Sequence, residues 1–188
     1  MKTKFPAEKA ARVAEEIREW LCPFCEPAYL EVAGSLRRGR PEGGDIEIIY
    51  VPRLEIIVPD GQLVPVLTNL VDLHLEDALL AGAFTKRPNA LGRDTWGEKI
   101  KLALHTDSGI PVDFFAATKD NWWNYLVCRT GPAESNVAIC QAAIARGWKW
   151  EPYSGGFMNP ESRNYHAVQS EREVFEFVGL NYQEPINR

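Results

Sequence analysis

The chain has 188 residues, 45% of them hydrophobic, and a net charge of −5. That is enough to bury a real core in one compact domain or two small packed lobes. The acidic balance, with a pI near 5.3, argues against strong non-specific capture of nucleic acid, and no stretch reads as a membrane span. A local basic stripe at Arg37, Arg38 and Arg40 stands against that balance.

In chain order, Pro6 suits a first helical position, and Ala10, Val13, Ile17, Trp20 and Leu21 repeat at helical spacing, so residues 6–21 are expected to form an amphipathic helix. Charged residues from Glu8 to Glu19 interrupt this segment, which lacks the apolar run of a secretory signal. The expected location is therefore intracellular, in the cytoplasm of a bacterium or virus-infected cell, or with the nucleoid. Cys22-Pro23-Phe24-Cys25 has the spacing of half a zinc site, but Cys128 and Cys140 are not paired in that way, so free thiols are the simpler reading.

Tyr29 to Ala33 reads as a strand, Gly34 to Gly44 as a turn rich in glycine and arginine, and Asp45 to Val51 as a second strand. Leu54 to Val58 is expected to extend the sheet, Pro59-Asp60-Gly61 to turn, and Leu63 to Leu80 to form a helix packed on it. His74, among leucines in that helix, reads as a packing or surface residue before a ligand. Ile100, Leu102 and Leu104 alternate with Lys99, Lys101 and His105, and Thr106 to Gly109 turns into a returning strand, Ile110 to Ala116. Helices are expected at Asp120 to Arg129, Ala133 to Arg146, and Glu171 to Val178 behind the capping box Ser170-Glu171-Arg172-Glu173. Trp122, Trp123, Trp148 and Trp150 have spacings that suit packing better than base stacking.

The chemistry concentrates in Gly34-Ser35-Leu36-Arg37-Arg38-Gly39 and Gly44-Asp45-Ile46-Glu47. On a strand, Asp45 and Glu47 turn to one face. Gly34 and Ser35 offer backbone and hydroxyl donors to phosphate, Arg38 a planar fork, and Gly44 room beside the acids. Asp113, amid Val112, Phe114 and Phe115, would supply a third carboxylate if its strand neighbours that of Asp45. Three such ligands suit two divalent cations about 4 Å apart, the arrangement that clamps an in-line phosphoryl transfer.

These residues resemble the nucleotidyltransferase fold of the polymerase beta superfamily, marked by Gly-Ser, a short loop, Gly-Asp-x-Asp or Gly-Asp-x-Glu, and a later acid. Leu36-Arg37-Arg38-Gly39, Val112-Asp113, Thr130-Gly131 with Asn136, Glu151-Pro152-Tyr153, the segment from Ser170 to Phe175 and Tyr182-Gln183-Glu184-Pro185 narrow the resemblance to X-family DNA polymerases. It implies an α+β fold: a nucleotidyltransferase palm over residues 1–118, with a mixed or antiparallel sheet and helices on one face, and a small α+β thumb over 119–188. It implies metal ligation by Asp45, Glu47 and Asp113, with Mg²⁺ as two ions or Mn²⁺ in its place. Triphosphate would be held by Gly34, Ser35, Arg38 and Gly44, the sugar by Thr130 and Gly131, and the base or minor groove would be faced by Asn136. Arg146 and Lys149 are candidates for DNA phosphates. The implied partners are primer-template or gapped DNA and a deoxynucleoside triphosphate, with no membrane, for a monomer doing short-gap repair synthesis.

The chain departs from that pattern at Cys128-Arg129, where Tyr-Phe is usual, at Cys140 for a thumb arginine, at Pro111 for a basic residue, at Pro152 for a glutamate, and at Glu47 for an aspartate. Two alternatives therefore stand beside the repair polymerase: a template-independent or ribonucleotide-tolerant transferase, and a weakly active module that binds nucleotide or DNA ends.

Overall fold

A computed structural model describes residues 3–58 and 63–188; the expected Pro59-Asp60-Gly61 turn lies outside them. A short strand β1 (Phe5–Pro6) leads into helix α1 (Ala7–Leu21), with Pro6 at its N-cap and Ala10, Val13, Ala14, Ile17 and Leu21 buried along one stripe. Strand β2 (Cys25–Val32) is longer than the expected one, because the pairing slips between Cys25 and Leu30 and picks up again. The glycine-arginine turn contains one helical turn, α2 (Gly34–Arg37), and a short strand β3 (Glu42–Gly43) that pairs with β1. Strand β4 (Ile46–Pro52) follows, with Asp45 just ahead of it.

The next segment corrects two expectations. Leu54 to Val58 does not extend the main sheet: β5 (Leu54–Ile57) pairs only with β6 (Val66–Asn69), as a separate hairpin. Helix α3 (Leu70–Leu80) begins well after Leu63, where Asn69 caps it by accepting from the Asp72 amide at 3.1 Å. Cross-strand pairing of Val66 and Leu67 with β5 overrides the helical spacing of the aliphatic residues. His74 accordingly packs: its ring stacks on Phe24 at 3.4 Å and Nδ1 lies 2.9 Å from the Leu70 carbonyl.

Strands β7 (Phe84–Lys86), β8 (Ile100–His105) and β9 (Pro111–Ala116) complete a five-stranded sheet of order β2-β4-β9-β8-β7. All its pairings are antiparallel except β4 with β9, which run parallel. Helices α1 and α3 cover one face over Ile46, Ile48, Tyr50, Val112 and Phe114. On β8 it is Ala103 and Lys101 that are buried, while Ile100, Leu102 and Leu104 are only partly covered. The Lys101 ammonium is buried without cost to its hydrogen bonding, donating to Asp72 Oδ1 at 2.7 Å and the Gly97 carbonyl at 2.8 Å.

The rest of the chain comprises α4 (Trp122–Thr130), α5 (Ala133–Ala145), a three-stranded sheet of β10 (Lys149–Glu151), β11 (Gly156–Met158) and β12 (Tyr165–His166), and α6 (Glu171–Phe177). Its own core joins Val127, Ile139, Ala143, Trp150, Phe157 and Val174. The opposite side of α4 covers the far end of the large sheet's second face, with Trp122, Tyr125 and Leu126 against Ile49, Val51 and Phe115. The tryptophans pack as expected: Trp122 meets Tyr29 edge-on at 5.3 Å, Trp148 meets Phe177 at 5.1 Å, and the buried Trp150 donates to Asn124 Oδ1 at 2.8 Å. Ser170 caps α6 by accepting from the Glu173 amide at 3.1 Å, while the Glu173 carboxylate reaches the Gln169 amide at 2.6 Å, one residue earlier than a strict capping box.

One ionic cluster ties the two parts together. Arg37 donates to Thr130 Oγ1 at 2.8 Å and to both oxygens of Glu171, one of them at 3.0 Å, and Arg188 donates to Glu171 Oε2 at 2.9 Å. Burial raises the Glu171 carboxyl, but Arg37 and Arg188 outweigh it and hold the group below its ordinary value. Its stabilisation is thus complete above the ordinary glutamate value and lost as pH falls through the depressed one. Glu171→Ala, which strands two guanidiniums, is expected to cost about 3 kcal/mol near neutral pH, and the deficit to shrink in acid. Urea unfolding of both proteins across pH measures it.

Candidate active site

The parallel pairing of β4 with β9 sets Glu47 directly opposite Asp113. Asp45 and Asp113 therefore stand on adjacent chain segments, as the sequence reading required. Gly34, Ser35, Arg38, Gly44, Asp45 and Glu47 line one open groove of about 500 Å³ together with Lys4 and Arg40. Its lining holds both guanidiniums and carboxylates, the mixture that a metal-bound triphosphate complements.

Two glycines let this groove close up. Gly34 has φ +63°, and a Cβ there would fall 2.1 Å from Glu47 Oε2. A Cβ on Gly43 would fall 2.5 Å from Ser35 Oγ. The carboxylate and the hydroxyl therefore sit directly on bare backbone.

The Glu47 carboxyl is pushed up to about 7, first by burial and next by the neighbouring Asp45 charge, with Asp113 adding to it and Arg129 and Arg38 opposing. Arg38 is pulled down by burial and by Arg40, and its guanidinium donates to the Thr130 carbonyl. Asp113 is ion-paired with Arg87, both largely covered. Among the described residues no three His, Cys, Asp or Glu side chains already form a cluster that could hold a metal ion. The donor set nevertheless fits a hard divalent cation: all carboxylate oxygens, two in register, and one raised by burial and by its negative neighbours. The four cysteines are free, and burial together with Cys22 pushes the Cys25 thiol up to about 12.

Thr130 and Gly131 also reach this neighbourhood: a Cβ on Gly131 would lie 3.2 Å from Arg38 Nη1. The other expected contacts do not line the groove. Asn136 spends its amide on the Cys128 carbonyl at 2.8 Å, leaving its Oδ1 buried without a hydrogen bond. Lys149 pairs with Glu151 at 2.6 Å, and the Arg146 guanidinium lies against Gly179.

Two arginines carry weight that the sequence reading missed. Arg87 supplies Asp113 with a cation from the end of β7, a role that Pro111 cannot fill from within β9. The missing basic residue before Asp113 was the one signal for it. Arg129 stacks on Phe115 at 3.7 Å and lies 4.9 Å from the Tyr153 ring, while the Cys128 thiol donates to the Tyr153 hydroxyl at 3.3 Å. The unusual Cys128-Arg129 pair is thus built into the wall of the site.

Comparison with known proteins bears on the fold. The family model for the DNA polymerase beta thumb matches residues 125–188. Two ternary-complex structures of Leishmania infantum polymerase beta, one with primer-template and one with a gap, align with 99% of the chain. Their TM-scores are 0.69 and 0.70, at 19% and 18% identity, over 77% and 71% of those chains. The fold is that of polymerase beta. The DNA polymerase/3′-5′ exonuclease PolX of Bacillus subtilis (strain 168) is 27% identical over 177 residues, which are 94% of this chain and 27% of that protein's length. The chain thus spans about a quarter of that relative. Among the described residues no helix is long and apolar enough to cross a membrane.

In this polymerase fold, Gly34→Ala is expected to displace Glu47 and weaken Mn²⁺ binding about tenfold or more, a loss of at least about 1.4 kcal/mol, measurable by electron paramagnetic resonance titration. Because the Glu47 carboxyl is raised, the folded state holds its proton more tightly than the unfolded one. Without metal, stability should fall as pH rises from the ordinary glutamate range to about 7. Glu47→Gln should flatten that slope, and added Mg²⁺ should reverse it at alkaline pH; melting scans test both.

Proposed function

We propose that the chain is a metal-dependent DNA polymerase that adds deoxynucleotides to a primer 3′-hydroxyl, filling short gaps. The observation that carries this reading is the in-register pairing of Glu47 with Asp113 beside the Gly34–Glu47 groove. Residues 1–118 act as the palm and 119–188 as the thumb, inside a cell.

Asp45, Glu47 and Asp113 would hold two Mg²⁺ ions, or Mn²⁺, which when bound would supply charge neutralisation for the triphosphate and acidify the attacking hydroxyl. Ser35 and Arg38 bind phosphate oxygens, while Gly34 and Gly44 let the backbone approach closely. Asp113 orients and helps deprotonate the primer hydroxyl, and Arg87 pairs with it and holds it in place. Thr130 and Gly131 run along the sugar, fixed there by Arg37 and Arg38. Asn136 acts chiefly through Cys128, bracing the wall that faces the sugar and base. Arg146 and Lys149 are the proposed thumb contacts to DNA phosphates; Lys149 would exchange Glu151 for phosphate.

A second reading is favoured by one observation. Arg129, stacked on Phe115, and the Cys128 thiol occupy the segment just before Thr130-Gly131. A thiol and a guanidinium exclude a ribose hydroxyl less firmly than a pair of rings, and the guanidinium can donate to it. This is the basis for a ribonucleotide-tolerant or template-independent transferase.

Primer extension on gapped and single-stranded DNA, with each sugar type offered separately, distinguishes the readings. Gap-dependent use of deoxynucleotides is expected; equal use of ribonucleotides without template would favour the second reading. Asp45→Ala and Asp113→Ala should each lower incorporation about a thousandfold or more, given the several kcal/mol that metal-borne charge stabilisation supplies. Unaltered incorporation would refute the assigned metal site, and no incorporation even by the wild type would leave the binding module.

A further inference from the structure

A hollow of about 400 Å³ lies where α1, α3, β7 and the end of β8 meet, and it shares no residue with the groove of the candidate active site. Glu16 and Trp20, one turn apart on α1, form one side of it; His74 and Asp77, close to one turn apart on α3, form another. The buried Phe84 ring stands behind them, its centre 6.1 Å from that of Trp20 and 5.4 Å from that of His105. Ala78, Ala81 and Ala83 leave the room: larger side chains at these positions would fill the space beside the rings.

We infer that this hollow binds a small organic ammonium ion with an aromatic body, an arylalkylamine. The lining decides the chemistry. It combines electron-rich ring faces with the carboxylates of Glu16 and Asp77, and no lysine or arginine contributes to it. His74 Nδ1 lies 2.9 Å from the Leu70 carbonyl; a carbonyl only accepts, so Nδ1 carries the proton and Nε2 of the neutral ring is an acceptor. Arg12 stands 3.9 Å from Glu16 Oε1, an exposed pair too loose to hold that carboxylate. An anion would meet repulsion here and no cation to bind it. A neutral apolar guest would strip water from two carboxylates and give nothing back. A guest with a cationic head and an apolar body avoids both costs: the ammonium pairs with the carboxylates and the ring faces, and the body covers Trp20 and Phe84. The site is separate from the polymerase groove and does not depend on the function proposed for it.

Nuclear magnetic resonance titration of the full chain with three probes of one shape, 2-phenylethylammonium, 2-phenylethanol and phenylacetate, tests this directly. The ammonium is expected to move the Trp20 indole N–H and the Ala78, Ala81 and Ala83 methyl signals to saturation, about tenfold more tightly than the alcohol, with phenylacetate not binding. Glu16→Gln combined with Asp77→Asn should lower the ammonium to the affinity of the alcohol. Ala81→Leu, at an exposed position, should fill the hollow and abolish binding of both. Equal binding of ammonium and alcohol by the wild type overturns the inference, as does a titration in which no signal of the hollow saturates. A folded double variant that keeps the full preference for the ammonium overturns it too, because the cation is then held elsewhere. If a variant does not fold, the three-probe series on the wild type decides alone.

Discussion

Two half-buried carboxylates facing each other on neighbouring parallel strands repel, and the site is organised around that repulsion. Parallel pairing makes it unavoidable, because the register that aligns Ile46 with Val112 and Ile48 with Phe114 in the core also aligns Glu47 with Asp113 on the opposite face. Sliding one strand by a residue would relieve the charges and expose the core. The fold instead answers with cations at the margins: Arg87 against Asp113, Arg129 and Arg38 acting on Glu47. Burial first, and then the charges of Asp45 and Asp113, leave Glu47 reluctant to ionise. A raised carboxyl among further carboxylates in a groove open to solvent suits a divalent cation and is the physical basis of the proposed chemistry.

The same arginine-rich turn serves structure and site at once. Of its consecutive arginines, Arg37 turns to Glu171 and Thr130, while Arg38 lines the groove and holds the Thr130 carbonyl. Thr130 ends α4, whose two sides belong to different cores. The phosphate end of the groove and the segment proposed to meet the sugar are thereby referenced to one another through two adjacent side chains. Arg188, packed against Phe175 and sharing Glu171 with Arg37, extends the tie to the last residue.

Much of this was legible from residue pattern. The alternation in β4, the helical stripe of α1 and the cap at Ser170 are local signals, and each marks its element to within a residue or two. The acids were legible because Asp45 and Glu47 follow a glycine-rich turn, and Asp113 interrupts an apolar strand. What failed depended on partners distant in sequence. The stretch from Val66 to Asn69 has aliphatic spacing compatible with a helix, and only pairing with Leu54 to Ile57 makes it a strand. Lys101 reads as solvent-facing until Asp72 and the Gly97 carbonyl are brought to it. Arg87 follows a three-residue strand with no periodicity to read, and its relation to Asp113 exists only across the sheet. Asn136 matched a motif, but its amide is claimed by Cys128.

The contact between Gly34 and Glu47 makes one position answerable to another. The added methylene that distinguishes glutamate from aspartate lengthens the side chain whose oxygen lies over the space that any larger residue at 34 would fill. The bare turn and the long acid are thus two halves of one steric fit, although thirteen positions separate them in the chain. A side chain at 34 would have to displace the acid, so the position of this carboxylate depends on a residue that carries no chemistry of its own.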